Sequence, residues 1–359
     1  MKRQPTYIKD TTDFIRKLEE IKVPNEALLV TLDIVSMYTN TPHDEATAAV
    51  GKALQQETSC NDSKIKTPPT ECMLDMLKII LQNNTFEFND EFYKQICGCS
   101  MGSPASPEIA DITFHETEIK IIHEHNNKIA LWLRFRDDIF LIFIGTEHEL
   151  HEFVTNINQM HPTFKFSFES SSQQVKYLDL VIYKGQRYNK ENILDIKTHT
   201  KPTDTFQFLH RESCHPTATF KGLMKGETLR YIRTCNNKED FNQKVNTFKA
   251  KLLERGYKEQ EITQIIGETN HDTRQTQLQD QQTISSTNNK LVFTTTYSPH
   301  IKTRDFKKAL LQNWSDLQKD ETCRILFPKE PIRAYSIQKK QKHKLFIGKL
   351  QTSQTKQLS

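Results

Sequence analysis

The sequence has no long hydrophobic run. Its longest, IFLIFIG at 139–145, falls far short of the roughly 20 apolar residues that a membrane helix needs. The opening residues, MKRQPTYIKD, lack the apolar core of a secretory signal. Cysteine is sparse and irregular, with 7 in 359 residues, which argues against a disulfide framework. No short repeat is visible. Charge of either sign is nearly balanced, 49 Lys+Arg against 45 Asp+Glu, a net of +4. These absences predict a soluble intracellular protein of the nucleus or cytoplasm, with no membrane partner. What is present is a folded chain: 36% hydrophobic residues, 9% aromatic and 21 Phe exclude wholesale disorder. The length suits two or three domains.

The small net charge conceals segregation. Residues 1–196 carry 20 Lys+Arg and 29 Asp+Glu, a net of −9. Residues 197–255 are net +6, 256–289 net −3 and 290–359 net +10. An acidic half joined to two basic segments is a footprint of polyanion binding. The alternative is a solvated tail in which Lys339, Lys340, Lys342 and Lys344 are ordinary surface charge.

Periodicity supplies the elements. Helical spacing marks 12–22, a segment starting at Pro42, 71–83, a long stretch after the turn residues MGSPASP, and HELHEFVTNINQM. ALLVTLDIV at 27–35 reads as a buried strand, and TFEFNDEFYKQI at 85–96 as a hairpin around Asn-Asp. IALWLRFRDDIFLIFIG at 129–145 reads as two strands meeting at an Asp pair, followed by strands in TFKFSFES, VKYLDLVIYK and ILDIKTHT. Phe164, Phe166 and Phe168 alternate as strand residues facing a core do. Residues 58–69 read as a loop. Helical patterns return around YIRTCNN and DFNQKVNTFKAKLLERGY, and 267–289, rich in Gln, Thr and Asn, reads as a linker. Beyond it, Phe293, Tyr297, Phe306, Leu310, Leu311, Trp314, Leu317 and Leu326 are core candidates.

The sharpest local feature is Asp137-Asp138, set between ALWLRF and IFLIFI and broken only by Arg134 and Arg136. Ionised carboxylates beside a dry strand pair are costly unless a cation or hydrogen bonds compensate. Asp33 ends the apolar run LLVTL, so two adjacent strands bring Asp33 and Asp137 to one point. Such a pair can hold two Mg²⁺ ions about 4 Å apart through hard oxygen ligands, activating a 3′-hydroxyl and stabilising a pyrophosphate leaving group. The competing reading of each Asp alone is a turn residue at a strand end. Cys97-x-Cys99 and His123-x-His125 lack zinc-finger spacing and read as packing residues. Cys214-His215 with His210 reads as structural, because sequence neighbours do not line up for nucleophilic catalysis.

The order of these segments resembles the palm of a reverse transcriptase. LDIVSMYTNTPHDEA is similar to the first catalytic motif, CSMGSPASPEIADITF to the second, FRDD to the third, HPTFKFSFE to the fourth and VKYLDLVIY to the primer-grip hairpin. More narrowly, MYTNTPHDE, MGSPASP, YLD, THTKPTD, FLHRESCHP, LRYIRTCN, FKAKLLERGY, YSPHI and LFPKEPIRAY resemble Penelope-like retroelement reverse transcriptases over nearly the whole chain. The resemblance implies an α+β fold: an antiparallel palm sheet with helices at 1–190, a mostly helical thumb at 191–266, a polar linker at 267–289 and a basic C-terminal region at 290–359. It implies RNA-directed DNA polymerisation with two Mg²⁺ ions, a DNA primer on an RNA template, and deoxynucleoside triphosphates. Asp33 and Asp137 would ligate metal, with Asp138 as catalytic support. Tyr38 would gate the sugar. Met101, Gly102 and Lys165 would face the nucleotide, with Met101 standing where many relatives have Gln. Phe135 replaces the commoner Tyr, and Arg136 is unusually polar for its place. Tyr177, Leu178 and Asp179 would hold the primer. Lys221, Lys225, Arg230 and Arg233 of the thumb would contact phosphates without reading sequence. Family members carry a fingers region before the first motif, and many end in a GIY-YIG endonuclease. With about 30 residues before Asp33 and no such endonuclease motif, the expectation is a fragment or decayed copy, either active or an inactive nucleic-acid-binding remnant. An RNA polymerase of the same palm class is a third reading, which Tyr38 disfavours.

Overall fold

The computed structural model describes residues 5–58, 68–279, 290–297 and 303–336. The loop read at 58–69, the second half of the expected linker and the lysine-rich tail fall largely outside these residues. By packing, the chain divides into two compact units, one of Met1–Asp204, Tyr231–Lys244 and Arg274–Leu278, the other of Thr205–Arg230, Val245–Thr273 and Gln279–Ser359.

In the first unit, α1 (Thr11–Glu19) leads to β1 (Ala27–Ile34), then α2 (His43–Thr58), α3 (Thr70–Gln82) and a hairpin of β2 (Thr85–Phe88) and β3 (Glu91–Lys94). Next come α4 (Ser106–Glu124), β4 (Ile129–Phe135), β5 (Asp138–Ile144), α5 (Glu147–Met160) and β6 (Phe166–Ser171). A second sheet follows in β7 (Gln174–Tyr177), β8 (Leu180–Tyr183), α6 (Gln186–Glu191) and β9 (Asp195–Thr198). Helices α7 (Thr217–Thr234), α8 (Lys238–Glu254), α9 (Glu259–Gly267) and α10 (Arg274–Leu278) complete the helical segment.

The main sheet has the order β4-β5-β1-β6, antiparallel throughout. The apolar runs of β1 and β5 are explained by burial on both faces. Ala27 and Leu29 of β1, with Phe140 and Ile142 of β5, join α1 and the β7-β8-β9 sheet. Leu28, Val30, Leu32, Ile139, Leu141 and Phe143 face the opposite core, with Phe114 of α4 and Phe153 of α5. Each such Val, Leu, Ile or Phe side chain contributes about 1.5–3 kcal/mol on burial. A capping box starts α5: Thr146 Oγ1 accepts from the Glu149 amide and Glu149 accepts from the Thr146 amide at 2.8 Å. Phe164 and Phe166 are buried as the alternation requires.

Part of the segment read as linker is ordered. Residues 271–273 form a 3₁₀ turn before α10, where Arg274 is buried with its guanidinium 2.8 Å from Glu19 and Leu278 enters the core. The buried ion pair and one Leu hold a stretch whose composition is otherwise that of a spacer.

The second unit packs Phe220, Met224, Phe248, Leu252, Tyr257 and Ile262 among its helical residues. The Arg211 guanidinium lies over Phe220, 4.7 Å from the ring centroid, and pairs with Glu261 at 3.2 Å. Farther on, β10 (Lys290–Thr296) pairs in parallel with β11 (Lys329–Ser336) through α11 (Thr303–Leu317) and α12 (Glu321–Leu326), since parallel strands require a crossover. Trp314 is buried there, but Leu317 and Leu326 are exposed, because a two-stranded sheet covers only one side of its helices. Among the described residues no helix is long and apolar enough to cross a membrane.

Candidate active site

Strand period places the carboxylates. Asp33 shares the β1 face of Leu29 and Thr31, and Asp138 shares the β5 face of Phe140 and Ile142. The register sets Asp33 directly opposite Asp138, with Ser167 of β6 on the other side of Asp33. Asp137 lies in the two-residue turn between β4 and β5, whose first residue, Arg136, has φ of 60°. A positive φ at the first turn residue alone is the type II′ pattern, and in a residue with a Cβ it costs about 1 kcal/mol or more. The Asp137 carbonyl accepts from the Ile34 amide at 3.0 Å, fastening the turn to the end of β1.

Like charges directly opposite destabilise a strand pair. Burial, then Asp137, raises the Asp33 carboxyl above its usual range. Burial, then Asp137 and Asp33, pushes Asp138 up to about 6, with Lys201 opposing. None of the three makes an ion pair among the described residues. A cleft of 390 Å³ beside them is lined by Asp33, Asp138, Ser167, Phe168, Lys176 and Tyr177. Among the described residues no group of three or more His, Cys, Asp or Glu side chains is placed to hold a metal ion. An oxygen-ligated Mg²⁺ does not require one, since it keeps several waters and takes one or two carboxylates together with substrate phosphates.

The turn is held from below by a buried ionic network. Arg134, 1% exposed, donates to Asp111 Oδ1 at 2.8 Å, to Glu118 Oε1 at 2.9 Å and to the Arg136 carbonyl at 3.1 Å. Arg136 reaches Asp111 Oδ2 at 2.5 Å and Glu108 at 3.4 Å. Glu118 also accepts from Trp132 Nε1 at 2.9 Å, Thr6 Oγ1 at 3.2 Å and His115. Burial alone would raise Glu118, but hydrogen bonds from His115, Arg134 and Trp132 and the Arg134 charge hold it down to about 2. Asp111 and Glu118 stand seven residues apart on α4, two turns along one face, a spacing that could have flagged them as partners for a strand arginine.

Tyr38 belongs to this site. It packs against the cores on both sides, and its phenol is raised by burial, with Arg136 opposing and Asp111 and Asp137 adding. Its carbonyl accepts from the Cys99 amide at 2.6 Å. Cys99 is buried and pushed up to about 11 by burial, whereas Cys97 is exposed. Gly98, which the sequence reading passed over, has φ of 76°, and a Cβ there would stand 2.4 Å from the Thr39 carbonyl oxygen. Gly102 has φ of 112° with open space around it, so its backbone angle, not crowding, calls for glycine. Met101 beside it is 75% exposed.

Tyr177 is buried, and its hydroxyl donates to the Asp138 carbonyl at 3.1 Å, joining the β7–β8 hairpin to the carboxylate strand. Leu178 takes φ of 52° at the hairpin turn, and Asp179 accepts from Thr11 Oγ1 at 2.9 Å. The Lys165 ammonium rests on the carbonyls of Asn158 and His161 at the end of α5, and its own carbonyl accepts from Val35. Lys221 and Lys225 are exposed one helical turn apart on α7, beside Glu261 and Gln264. Arg230 pairs with Glu227 at 2.8 Å, and the Arg233 carbonyl accepts from Arg274. Thus Asp33, Asp137, Asp138, Tyr38 and Tyr177 gather in the first unit, while Lys221, Lys225 and Arg230 belong to the second.

No curated protein matches the chain. A family model described as an animal helix-turn-helix domain matches residues 207–267, the segment of α7, α8 and α9. Among solved structures, telomerase from Candida albicans, in complex with a fragment of telomeric RNA, matches with a TM-score of 0.50 at 10% identity, over 89% of this chain and 51% of that one. Apo telomerase from Candida tropicalis matches with a TM-score of 0.42 at 15% identity, over 76% and 46%. The Sicinivirus 3Dpol RNA-dependent RNA polymerase matches with a TM-score of 0.45 at 14% identity, over 77% and 55%. The chain spans about half the length of these structures. The likeness to the Candida albicans telomerase establishes a reverse-transcriptase-like, palm-type polymerase fold, an antiparallel sheet with helices and a helical segment after it.

Proposed function

We propose that the chain is an RNA-directed DNA polymerase of a retrotransposable element of the Penelope-like kind. The observation that carries this reading is the in-register pair Asp33–Asp138 with Asp137 on the adjoining turn: three carboxylates, two with raised protonation, and no ion pair among the described residues. Such a charge concentration suits a divalent cation better than any other partner. Asp33 and Asp137 would hold Mg²⁺, with Asp138 beside them. Bound there, Mg²⁺ would lower the pKa of a primer 3′-hydroxyl and neutralise charge on a triphosphate. The protein's share is position. Arg134 and Arg136 fix the turn, and Tyr177 fixes the hairpin. Tyr38 supplies a bulky ring where a ribose 2′-hydroxyl would clash, which favours deoxynucleotides over ribonucleotides.

A second reading, nucleic-acid binding without catalysis, is favoured by the helix-turn-helix match at 207–267. Extension of a DNA primer on an RNA template by the full chain separates the two. Mg²⁺-dependent extension that Asp137→Asn abolishes supports the polymerase. Template binding with no extension under any divalent ion supports the second reading.

A further inference from the structure

Helix α3 and the β2–β3 hairpin carry an apolar surface that nothing among the described residues covers. Leu77 and Leu81 of α3 are buried, whereas Met76, Ile79 and Ile80 on its other side are exposed. After two further residues the hairpin begins, and every residue of its two strands is exposed. The register and the strand period put Phe86, Phe88 and Tyr93 on one face, with Phe86 stacked on Tyr93 at 5.6 Å between centroids, and Phe92 on the other. Phe88, Phe92 and Ile96 are 69%, 77% and 87% exposed. At about 200 Å² per aromatic side chain, the four rings leave roughly 500 Å² open. Met76, Ile79, Ile80 and Ile96 bring the surface toward the roughly 800 Å² that each partner of a standard interface contributes. The largest patch of a typical monomer is about 300–600 Å².

Charge narrows the occupant. Residues 70–96 carry five Asp+Glu against two Lys, a net of −3. Such a surface repels phosphodiesters and anionic lipid, so the rings do not suit a platform for bases. The free edge of β3 supplies the rest. The Gln95 amide donates to the Asn84 carbonyl at 2.9 Å. Alternation along the antiparallel ladder then aims the backbone groups of Glu91 and Tyr93 at β2 and those of Phe92 and Lys94 outward. No strand pairs with that edge among the described residues. Two copies of β3, antiparallel about a two-fold axis at Phe92, satisfy these outward groups. Residues equidistant from Phe92 then stand opposite one another, so Asp90 of each copy faces Lys94 of the other. In the single chain Asp90 and Lys94 are exposed and form no ion pair among the described residues. Opposite charges so placed stabilise a strand pair. A two-stranded hairpin, marginal by itself, becomes part of a four-stranded sheet.

We propose that the β2–β3 hairpin joins two copies of this chain, β3 to β3 about an axis at Phe92, with the apolar side of α3 flanking the joint sheet. The contact is isologous, so it closes at a dimer. It does not rest on the polymerase reading.

The test is sedimentation equilibrium of the full chain across about 0.1–100 μM, since interfaces of this size reach micromolar affinity or better. The wild type should pass from monomer to dimer. Phe92→Lys sets like charges together on the axis and should stay monomeric where the wild type is dimeric. Its far-UV circular dichroism should be unchanged, because Phe92 is exposed in the single chain. Lys94→Glu sets acid against acid on both sides of the axis and should weaken the dimer about tenfold. Added salt should recover part of that loss. A wild type that stays monomeric, or a dimer that persists in Phe92→Lys, overturns the pairing. A dimer that tolerates both β3 variants and dissociates in Met76→Asp/Ile79→Asp belongs to α3 and overturns it as well. A monomeric wild type whose binding to single-stranded RNA weakens in Phe92→Ser gives the rings to bases and overturns the dimer.

Discussion

Replacing Glu118 by Gln removes one charge from beneath the carboxylate turn while keeping the side chain's shape. Glu118 has no exposed surface and accepts hydrogen bonds from Arg134, Trp132, His115 and Thr6. Because Arg134 donates to both carboxylate oxygens, a Gln amide turned either way sets its NH2 against one Arg134 donor, and the buried guanidinium keeps a full charge partner only in Asp111, which it shares with Arg136. Two lines give the magnitude. Removing one partner of a buried pair costs about 3–5 kcal/mol. Holding the carboxyl at about 2, below its ordinary 4.5, corresponds to about 3 kcal/mol at 1.36 kcal/mol per unit. Because the folded value is the lower one, this stability is fully present above pH 4.5 and is lost as pH falls toward 2. Urea unfolding of wild type and Glu118→Gln should differ by about 3 kcal/mol at pH 7, with the gap narrowing to roughly half at pH 3. In a domain of this size that corresponds to a melting temperature lower by roughly 6–12 °C. A difference under about 1 kcal/mol, or a gap of equal size at pH 7 and pH 3, would refute the network's role.

Further outcomes follow from the same structure. Asp138→Asn should abolish primer extension and yet raise the stability of the metal-free protein at pH 7. The folded carboxyl titrates at about 6, so the wild type loses stability as pH rises through that range. Discounted for partial exposure, the gain is about 1–2 kcal/mol by thermal unfolding, and a less stable variant would contradict the assignment. Tyr38→Ala should raise ribonucleotide incorporation relative to deoxynucleotide by tenfold or more, about 1.4 kcal/mol, in single-nucleotide extension. Unchanged discrimination would remove Tyr38 from the gate. Gly98→Ala should cost more stability than Gly102→Ala in urea unfolding, because only Gly98 adds a 2.4 Å clash with Thr39 to a positive φ. The Gly102 change should cost about 1–2 kcal/mol from backbone strain alone.

The carboxylate strands were legible because their signal is local. A period of two, apolar runs and an Asp pair between them give β1, β4 and β5 from the residues alone. Tyr38 and Gly102 were singled out by the resemblance of MYTNTPHDE and MGSPASP to polymerase motifs rather than by any local signal of their own. The network under the turn was not legible. Arg134 appeared only as an interruption of an apolar strand, and its partners lie 16 and 23 residues earlier, on a helix whose acids also suit a solvated face. Only the packing of α4 on the sheet decides between these. The ordered stretch around Arg274 was masked by Gln- and Thr-rich composition, because the Arg274 contacts with Glu19 and the Arg233 carbonyl and one buried Leu278 fix it. The row of Lys176 and Lys197 across the second sheet was missed for a related reason. Lys176 and Lys197 are distant in sequence and meet through β8, so their row exists only once the register is known.

The most direct test of the central claim is DNA primer extension on an RNA template by the purified full chain, titrated with Mg²⁺, beside Asp137→Asn. Extension should require Mg²⁺ and deoxynucleotides and fall at least a thousandfold, about 4 kcal/mol, in the variant. Extension that survives Asp137→Asn at a comparable rate would contradict that claim.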